Sequence, residues 1–254
     1  MTVMAAAVEA ARSAGGILYR HRDGPSQVTH KGAIDLVTEV DLACETAIRN
    51  VLGRHTPDIP VLGEEGGGAE KASTRWVVDP LDGTTNFVHG FPYYCVSIAL
   101  EVDRRVTLGV VLDPLRDQLY RAERGGGAWC NDRRMSVSSC NDIRKALIGT
   151  GFAYDRREKA AFYLKRFEAA LTASQGIRRA GAAALDLAMV ADGKLDAFWE
   201  FGLKRWDVAA GIILIEEAGG RVTTHSGGLI SDDVGSPLAS NGRLHQAMQS
   251  VLTV

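Results

Sequence analysis

The chain has 254 residues, of which 46% are hydrophobic and 24% charged, with a formal net charge of −2. This is the profile of a folded protein with a sizeable core, and it excludes a disordered chain or a broadly basic nucleic-acid binder. No stretch reaches the ~18 apolar residues of a membrane span. The apolar start is broken by Glu9 and Arg12, unlike a secretory signal. Short basic clusters at residues 121–124 and 133–134 read as solvated surface. Cys44, Cys95, Cys130 and Cys140 lack CxxC spacing. They predict reduced thiols in a cytoplasmic protein and no zinc site.

In chain order, Met4, Ala7, Val8, Ala11 and Leu18 recur at helical spacing and predict an amphipathic helix over residues 3–21. Asp23-Gly24-Pro25 breaks it. A second helix is predicted over residues 39–53, capped by Thr38 with Asp41 three residues on. The period then changes. Residues 59–62, 76–78, 94–102 and 106–112 are rich in β-branched and apolar side chains and predict buried strands. Turns follow at residues 125–127 and 131–132, and a short strand at 145–150. Helices are predicted over residues 159–173, 181–192 and 207–218, with strands at 197–200, 221–223 and 238–240. The mixture predicts layers of helix and sheet in a single domain over residues 1–254. Its halves are expected to meet near residue 140.

Three acidic sites fall where a strand ends or a helix begins: Glu64-Glu65, Asp79-Pro80-Leu81-Asp82 and Asp207. Carboxylates at such positions can converge on one crevice. Pro80 stiffens its segment. Asp79 and Asp82 are expected to flank an exposed turn, with the Leu81 carbonyl as a third oxygen. Hard oxygen donors suit Mg²⁺, Mn²⁺ or Ca²⁺ rather than zinc. Gly83-Thr84-Thr85 follows at once. If a helix starts at Asp82, its N–H groups can face an anion such as phosphate. Two metals about 3.5–4 Å apart can clamp an in-line phosphoryl transfer. Taken singly, Asp79 to Gly83 is also a turn before a capped helix, Glu64-Glu65 a surface pair and Asp207 an N-cap. Their joint occurrence carries the weight.

The chain resembles the inositol monophosphatase family. The matching pieces are Asp35-Leu36-Val37-Thr38-Glu39-Val40-Asp41, Gly63-Glu64-Glu65, the run from Trp76 to Phe87 centred on Asp79-Pro80-Leu81-Asp82-Gly83-Thr84-Thr85, and Trp206-Asp207-Val208-Ala209-Ala210-Gly211. They occur in the family's order across nearly the whole chain. The resemblance implies an α+β fold, the layered αβαβα sandwich of the inositol monophosphatase and fructose-1,6-bisphosphatase type. It implies a Mg²⁺-dependent, lithium-sensitive phosphomonoesterase, commonly a homodimer, with two to three ions per site. Glu64, Asp79 and the Leu81 carbonyl would hold the first Mg²⁺, and Asp79, Asp82 and Asp207 the second. A weaker third ion would lean on Glu64. Thr84 paired with Asp41 would activate the attacking water, and the Gly83 and Thr84 N–H groups would hold the phosphate. The substrate's hydroxyls would meet Ala183 and Glu200. No covalent phosphoenzyme is expected, nor a membrane or direct nucleic-acid partner.

Two departures stand out. Ala182 follows Gly181 where relatives often carry Ser or Thr, and residues 152–157 differ from animal enzymes. Lys31-Gly32 resembles a metal-proximal loop of bacterial relatives. His89 reads as a helix-capping or packing residue, and Gly66-Gly67-Gly68 as a loop rather than a nucleotide cradle. Thr85-Asn86-Phe87 favours the inositol monophosphatase branch over the adenosine-bisphosphate or histidinol-phosphate branches, which often carry Lys there. Fructose 1,6-bisphosphate remains an alternative substrate. A reading from another class is a regulatory partner of the transcription machinery, as some bacterial relatives are.

Overall fold

The structure, a computed structural model, describes residues 1–23, 28–30, 36–231 and 234–254. Asp35, Lys31 and Gly32 of the motifs above lie outside the described residues, as do Gly24 and Pro25.

Helix α1 spans Val3–Arg20, then β1 (Val28–His30) and β2 (Leu36–Thr38) pair antiparallel. Helix α2 (Glu39–His55) follows directly. Its first turn is closed by the predicted capping box, with Thr38 and Asp41 each satisfying the other's backbone N–H. Next come β3 (Val61–Gly63), β4 (Thr74–Asp82), α3 (Thr84–Val88), β5 (Cys95–Val102), β6 (Arg105–Asp113), β7 (Gln118–Glu123), β8 (Gly127–Cys130) and β9 (Arg133–Arg134). The second half contains β10 (Leu147–Thr150), α4 (Ala160–Ala173), β11 (Gly176–Arg178), α5 (Ala183–Ala191) and β12 (Ala197–Trp199). It closes with α6 (Arg205–Glu217), β13 (Arg221–Thr224), β14 (Pro237–Ser240) and α7 (His245–Leu252).

Strands β3 to β9 form a seven-stranded sheet in sequence order. Only the β3–β4 pairing within it is parallel. The second sheet has the order β11-β10-β12-β14-β13. Helices α1 and α2 cover one face of the large sheet, α5 and α6 lie between the sheets, and α4 and α7 cover the outer face of the small sheet. The layering is therefore αβαβα. Apolar side chains fill each gap, among them Leu18, Ile48 and Trp76 outside, Leu187 and Ile213 between the sheets, and Ile148 and Met248 under α7.

The structure corrects the expected exposed turn at Asp79. Strand β4 runs on through Asp82, and Asp79 pairs with Ser97 while Asp82 pairs with Cys95. Three steps on β4 therefore face two on β5, which is a β-bulge. A bulge tolerates Pro80 in an interior strand because the extra residue is unpaired. The loop is buried: Asp79 is 2% and Leu81 1% exposed. The helix start is also corrected. The helix begins at Thr84, with Gly83 as its N-cap at φ +94°. A Cβ at Gly83 would lie 3.1 Å from the Tyr93 carbonyl oxygen in a conformation that L side chains rarely adopt.

Candidate active site

The bulge aims its carboxylates toward α5 and α6. Asp79 Oδ1 accepts the Leu81 N–H at 3.0 Å, and Asp82 Oδ2 accepts the Ala184 N–H at 2.6 Å in the first turn of α5. Asp207 is the third residue of α6 rather than its N-cap, and its Oδ2 accepts the Lys204 N–H at 2.7 Å. The backbone N–H of Glu64 donates to the Val78 carbonyl at 3.1 Å, so the end of β3 is tied to the residue before Asp79.

Behind the bulge stands Asp41. Its Oδ2 accepts the Thr38 N–H at 2.8 Å and the Thr38 hydroxyl at 2.5 Å, which leaves Oδ1 facing Thr84. The Thr84 hydroxyl lies 3.2 Å from Asp41 Oδ1 and 3.1 Å from the Leu81 carbonyl oxygen. Its single proton thus has two acceptors.

Glu64, Asp79, Leu81, Asp82, Gly83, Thr84, Ala183, Glu200 and Asp207 line one cleft of about 340 Å³. Asp41 lies behind its wall and reaches it through Thr84. Ala183 is the buried first residue of α5, and Glu200 follows β12 and faces the cleft. The segment 152–157, where the sequence departs from animal enzymes, supplies Phe152, Ala153, Tyr154 and Arg156 to the lining. His89 is the exposed C-cap residue of α3 and does not line the cleft.

Burial holds the Asp79 carboxyl well above the usual carboxylate range, and the charges of Glu64, Asp82 and Asp207 push it the same way. Asp207 is raised likewise, first by burial and then by Glu64. Asp82 is pushed up to about 6 by burial, against the N–H groups of Ala184 and Ala183. Burial also lifts Asp41, against its hydrogen bonds to Thr38 and Thr84. Burial takes Glu200 to about 8, partly offset by the Arg179 guanidinium.

The Inositol monophosphatase family matches residues 1–253. The chain belongs to that family. It is 44% identical to the Nus factor SuhB of Pseudomonas aeruginosa, covering 97% of this chain and 94% of that one. It is 41% identical to the inositol-1-monophosphatase of Synechocystis, covering 97% and 87%. Among solved structures, the inositol monophosphatase of Anabaena superposes with a TM-score of 0.90 at 40% identity, covering 98% of this chain and 94% of that one.

The family implies divalent cations, and the donor set fits them. Four carboxylates and a carbonyl are hard oxygen ligands, and among the described residues the cleft lining contains no Cys or His. Mutual repulsion among buried acids is what a cation would relieve. Asp79, Asp82 and Asp207 are each oriented by a backbone N–H, from Leu81, Ala184 and Lys204.

Several contributors were missed by sequence reasoning. Glu45, buried on α2, accepts the Glu65 N–H at 2.8 Å and the Gly66 N–H at 2.9 Å, and so shapes the turn carrying Glu64. An acid on the apolar face of α2, beside Cys44 and Ile48, was its signal. Asp186 is the single charge in α5 and accepts the Tyr93 hydroxyl at 2.7 Å; burial raises it to about 8. Asn86, read in the sequence only as a mark of the branch, ties α3 to the Tyr93 and Ala180 carbonyls. Arg179 and Lys204 add positive charge to the cleft beside Arg156, and nothing in their spacing marks them.

Proposed function

We propose that this protein is a Mg²⁺-dependent phosphomonoesterase acting on inositol monophosphate. One observation carries the reading. Glu64, Asp79, Asp82, Asp207 and the Leu81 carbonyl line the same cleft as a Thr84 hydroxyl already set against Asp41.

Glu64, Asp79 and the Leu81 carbonyl would hold a first ion, and Asp79, Asp82 and Asp207 a second; a weaker third would lean on Glu64. When bound, the ions supply charge neutralisation of the phosphate and of the departing oxygen. The residues do the rest. Asp41 Oδ1 accepts the Thr84 proton, which leaves a Thr84 lone pair to orient and deprotonate a water for in-line attack on phosphorus. The N–H groups of Gly83 and Thr84 take phosphate oxygens, since the short turn after the bulge presents them to the cleft. Glu200 accepts or shares hydroxyl protons of the leaving cyclitol, and Ala183 offers its backbone beside it. Attack is direct and no phosphoenzyme forms.

Inositol 1-phosphate is the first choice because Thr85-Asn86-Phe87 stands after the bulge where other branches often carry Lys. Fructose 1,6-bisphosphate and histidinol phosphate are the alternatives on the same scaffold. Lithium inhibition, a homodimer and a cytoplasmic setting belong to the same reading; the four free cysteines suit the last. No helix among the described residues is long and apolar enough to cross a membrane.

The test is phosphate release from inositol 1-phosphate, fructose 1,6-bisphosphate, histidinol phosphate and adenosine 3′,5′-bisphosphate in Mg²⁺. The largest kcat/KM is expected on the first, and dominance of either of the last two overturns the substrate. A second reading, a regulatory partner of the transcription machinery, rests on the relatives named Nus factor SuhB. It predicts retention of transcription proteins by wild type and by Asp79→Asn alike.

A further inference from the structure

A buried bridge of three charged side chains joins the large sheet to α6, outside the cleft lining. Arg75 on β4 and Glu101 on β5 are cross-strand partners, and Arg75 Nε donates to Glu101 Oε2 at 2.8 Å. Glu101 Oε1 accepts Nε of Arg205, the first residue of α6. Their exposures are 2%, 0% and 7%. Arg75 Nη1 also donates to the Glu70 carbonyl at 2.7 Å, whereas Arg205 Nη1 has no hydrogen-bond partner. Arg205 also places positive charge at a helix N-terminus, the end that favours anions. Apolar side chains of similar volume would fill this space without the desolvation cost. Stability alone therefore does not explain the bridge.

Register offers an explanation. On the same strand pair, Asp79 faces Ser97 four residues along from the Arg75–Glu101 pair. With a side-chain period of two, all four residues lie on one face of the sheet, the face against α6. Ser97 Oγ donates to the Trp206 carbonyl at 3.3 Å, and Asp207 is the next residue. The first turn of α6 is thus pinned to β5 at Arg205 and at Trp206. The same β5 residues face Arg75 and Asp79 on β4.

We infer that the Arg75–Glu101–Arg205 bridge is a positioning device: it sets α6 against β4, and so Asp207 against Asp79, and thereby raises the cleft's affinity for divalent cations. This rests on the metal-binding reading above. The three are positioning residues and touch no substrate.

The test uses Arg205→Met, read by Mn²⁺ titration followed by electron paramagnetic resonance and by thermal unfolding in EDTA. Electrostatics alone predicts tighter cation binding, because a positive charge near the acids is removed. Positioning predicts the opposite: Mn²⁺ affinity falls on the order of tenfold, as for other outer-shell partners of metal ligands. The unfolding temperature in EDTA is expected to fall, since Glu101 Oε1 stays buried and loses its donor; the EDTA melt therefore serves to show that the variant is folded at the temperature of the titration. Unchanged or tighter Mn²⁺ binding by folded Arg205→Met overturns the inference. The combined variant Arg75→Met, Glu101→Leu, Arg205→Met is the second probe, with the same weakening expected and wild-type affinity overturning it. A wild type that binds no Mn²⁺ overturns the metal reading itself, an outcome separate from a variant that binds like wild type.

Discussion

Asp79 stands among three carboxylates of its own charge. It is buried, and Glu64, Asp82 and Asp207 all raise its carboxyl. Activity and ion-free stability should therefore move in opposite directions in Asp79→Asn. Losing a ligand that contributes several kcal/mol of transition-state charge stabilisation should cut kcat/KM on the order of 10²–10³-fold. The same change removes a buried like-charge clash, so the unfolding temperature in EDTA should rise. Phosphate release and circular dichroism melts check the two signs. Thr84 gives a second contrast. Thr84→Val deletes the hydroxyl between Asp41 and the Leu81 carbonyl. It should lower kcat about 10²-fold with little change in KM, whereas Thr84→Ser should keep most of the rate. Equal loss in both variants would point to packing rather than proton transfer.

Among the elements, α6 matters most because it carries Asp207 and lies between the sheets. It approaches β6 so closely that a Cβ on Gly109 would sit 2.5 Å from Ile213 Cγ2 and 2.8 Å from the Ala210 carbonyl oxygen. Gly109→Val should cost about 1–3 kcal/mol of unfolding free energy, measured by urea titration, because neither backbone nor β-branched neighbour can yield. An unaffected midpoint would show that α6 can shift. Much at this scale was legible in sequence. α1, α2 and the span from Asp207 onward announce themselves by apolar period, and Thr38 and Asp41 by capping chemistry. The bulge was not legible. Pro80 after a β-rich run reads as the end of a strand, and only pairing with β5 shows that the strand continues. Strands β7 and β8 were missed because Gln118–Glu123 is short and partly polar and Gly127–Cys130 is four residues opening on a glycine, and both owe their form to neighbours in the sheet.

At the scale of the whole molecule, the cleft stores unfavourable charge. Glu200 and Asp186 are raised to about 8 and Asp82 to about 6. Their ordinary values are 4.5 for Glu and 3.8 for Asp. Between these ordinary and raised values the folded state binds more protons than the unfolded state. Linkage then makes the ion-free protein lose stability as pH rises through that window. The unfolding temperature in EDTA should fall from pH 5 to pH 8, and saturating Mg²⁺ should flatten the slope. A rise with pH in EDTA would contradict the assignment. The four acids could be picked from the sequence together as a constellation. Their partners Glu45, Asp186 and Arg205 could not, because each acts through a contact between segments distant in the chain.

The most direct measurement is the initial rate of phosphate release from inositol 1-phosphate by wild type and Asp79→Asn, each in Mg²⁺ and in EDTA. A metal-dependent phosphomonoesterase built on the Asp79 bulge gives turnover in one of the four conditions, wild type with Mg²⁺, and at most about 1% of that rate in the others. Equal rates in wild type and Asp79→Asn, or a wild-type rate indifferent to EDTA, would contradict it.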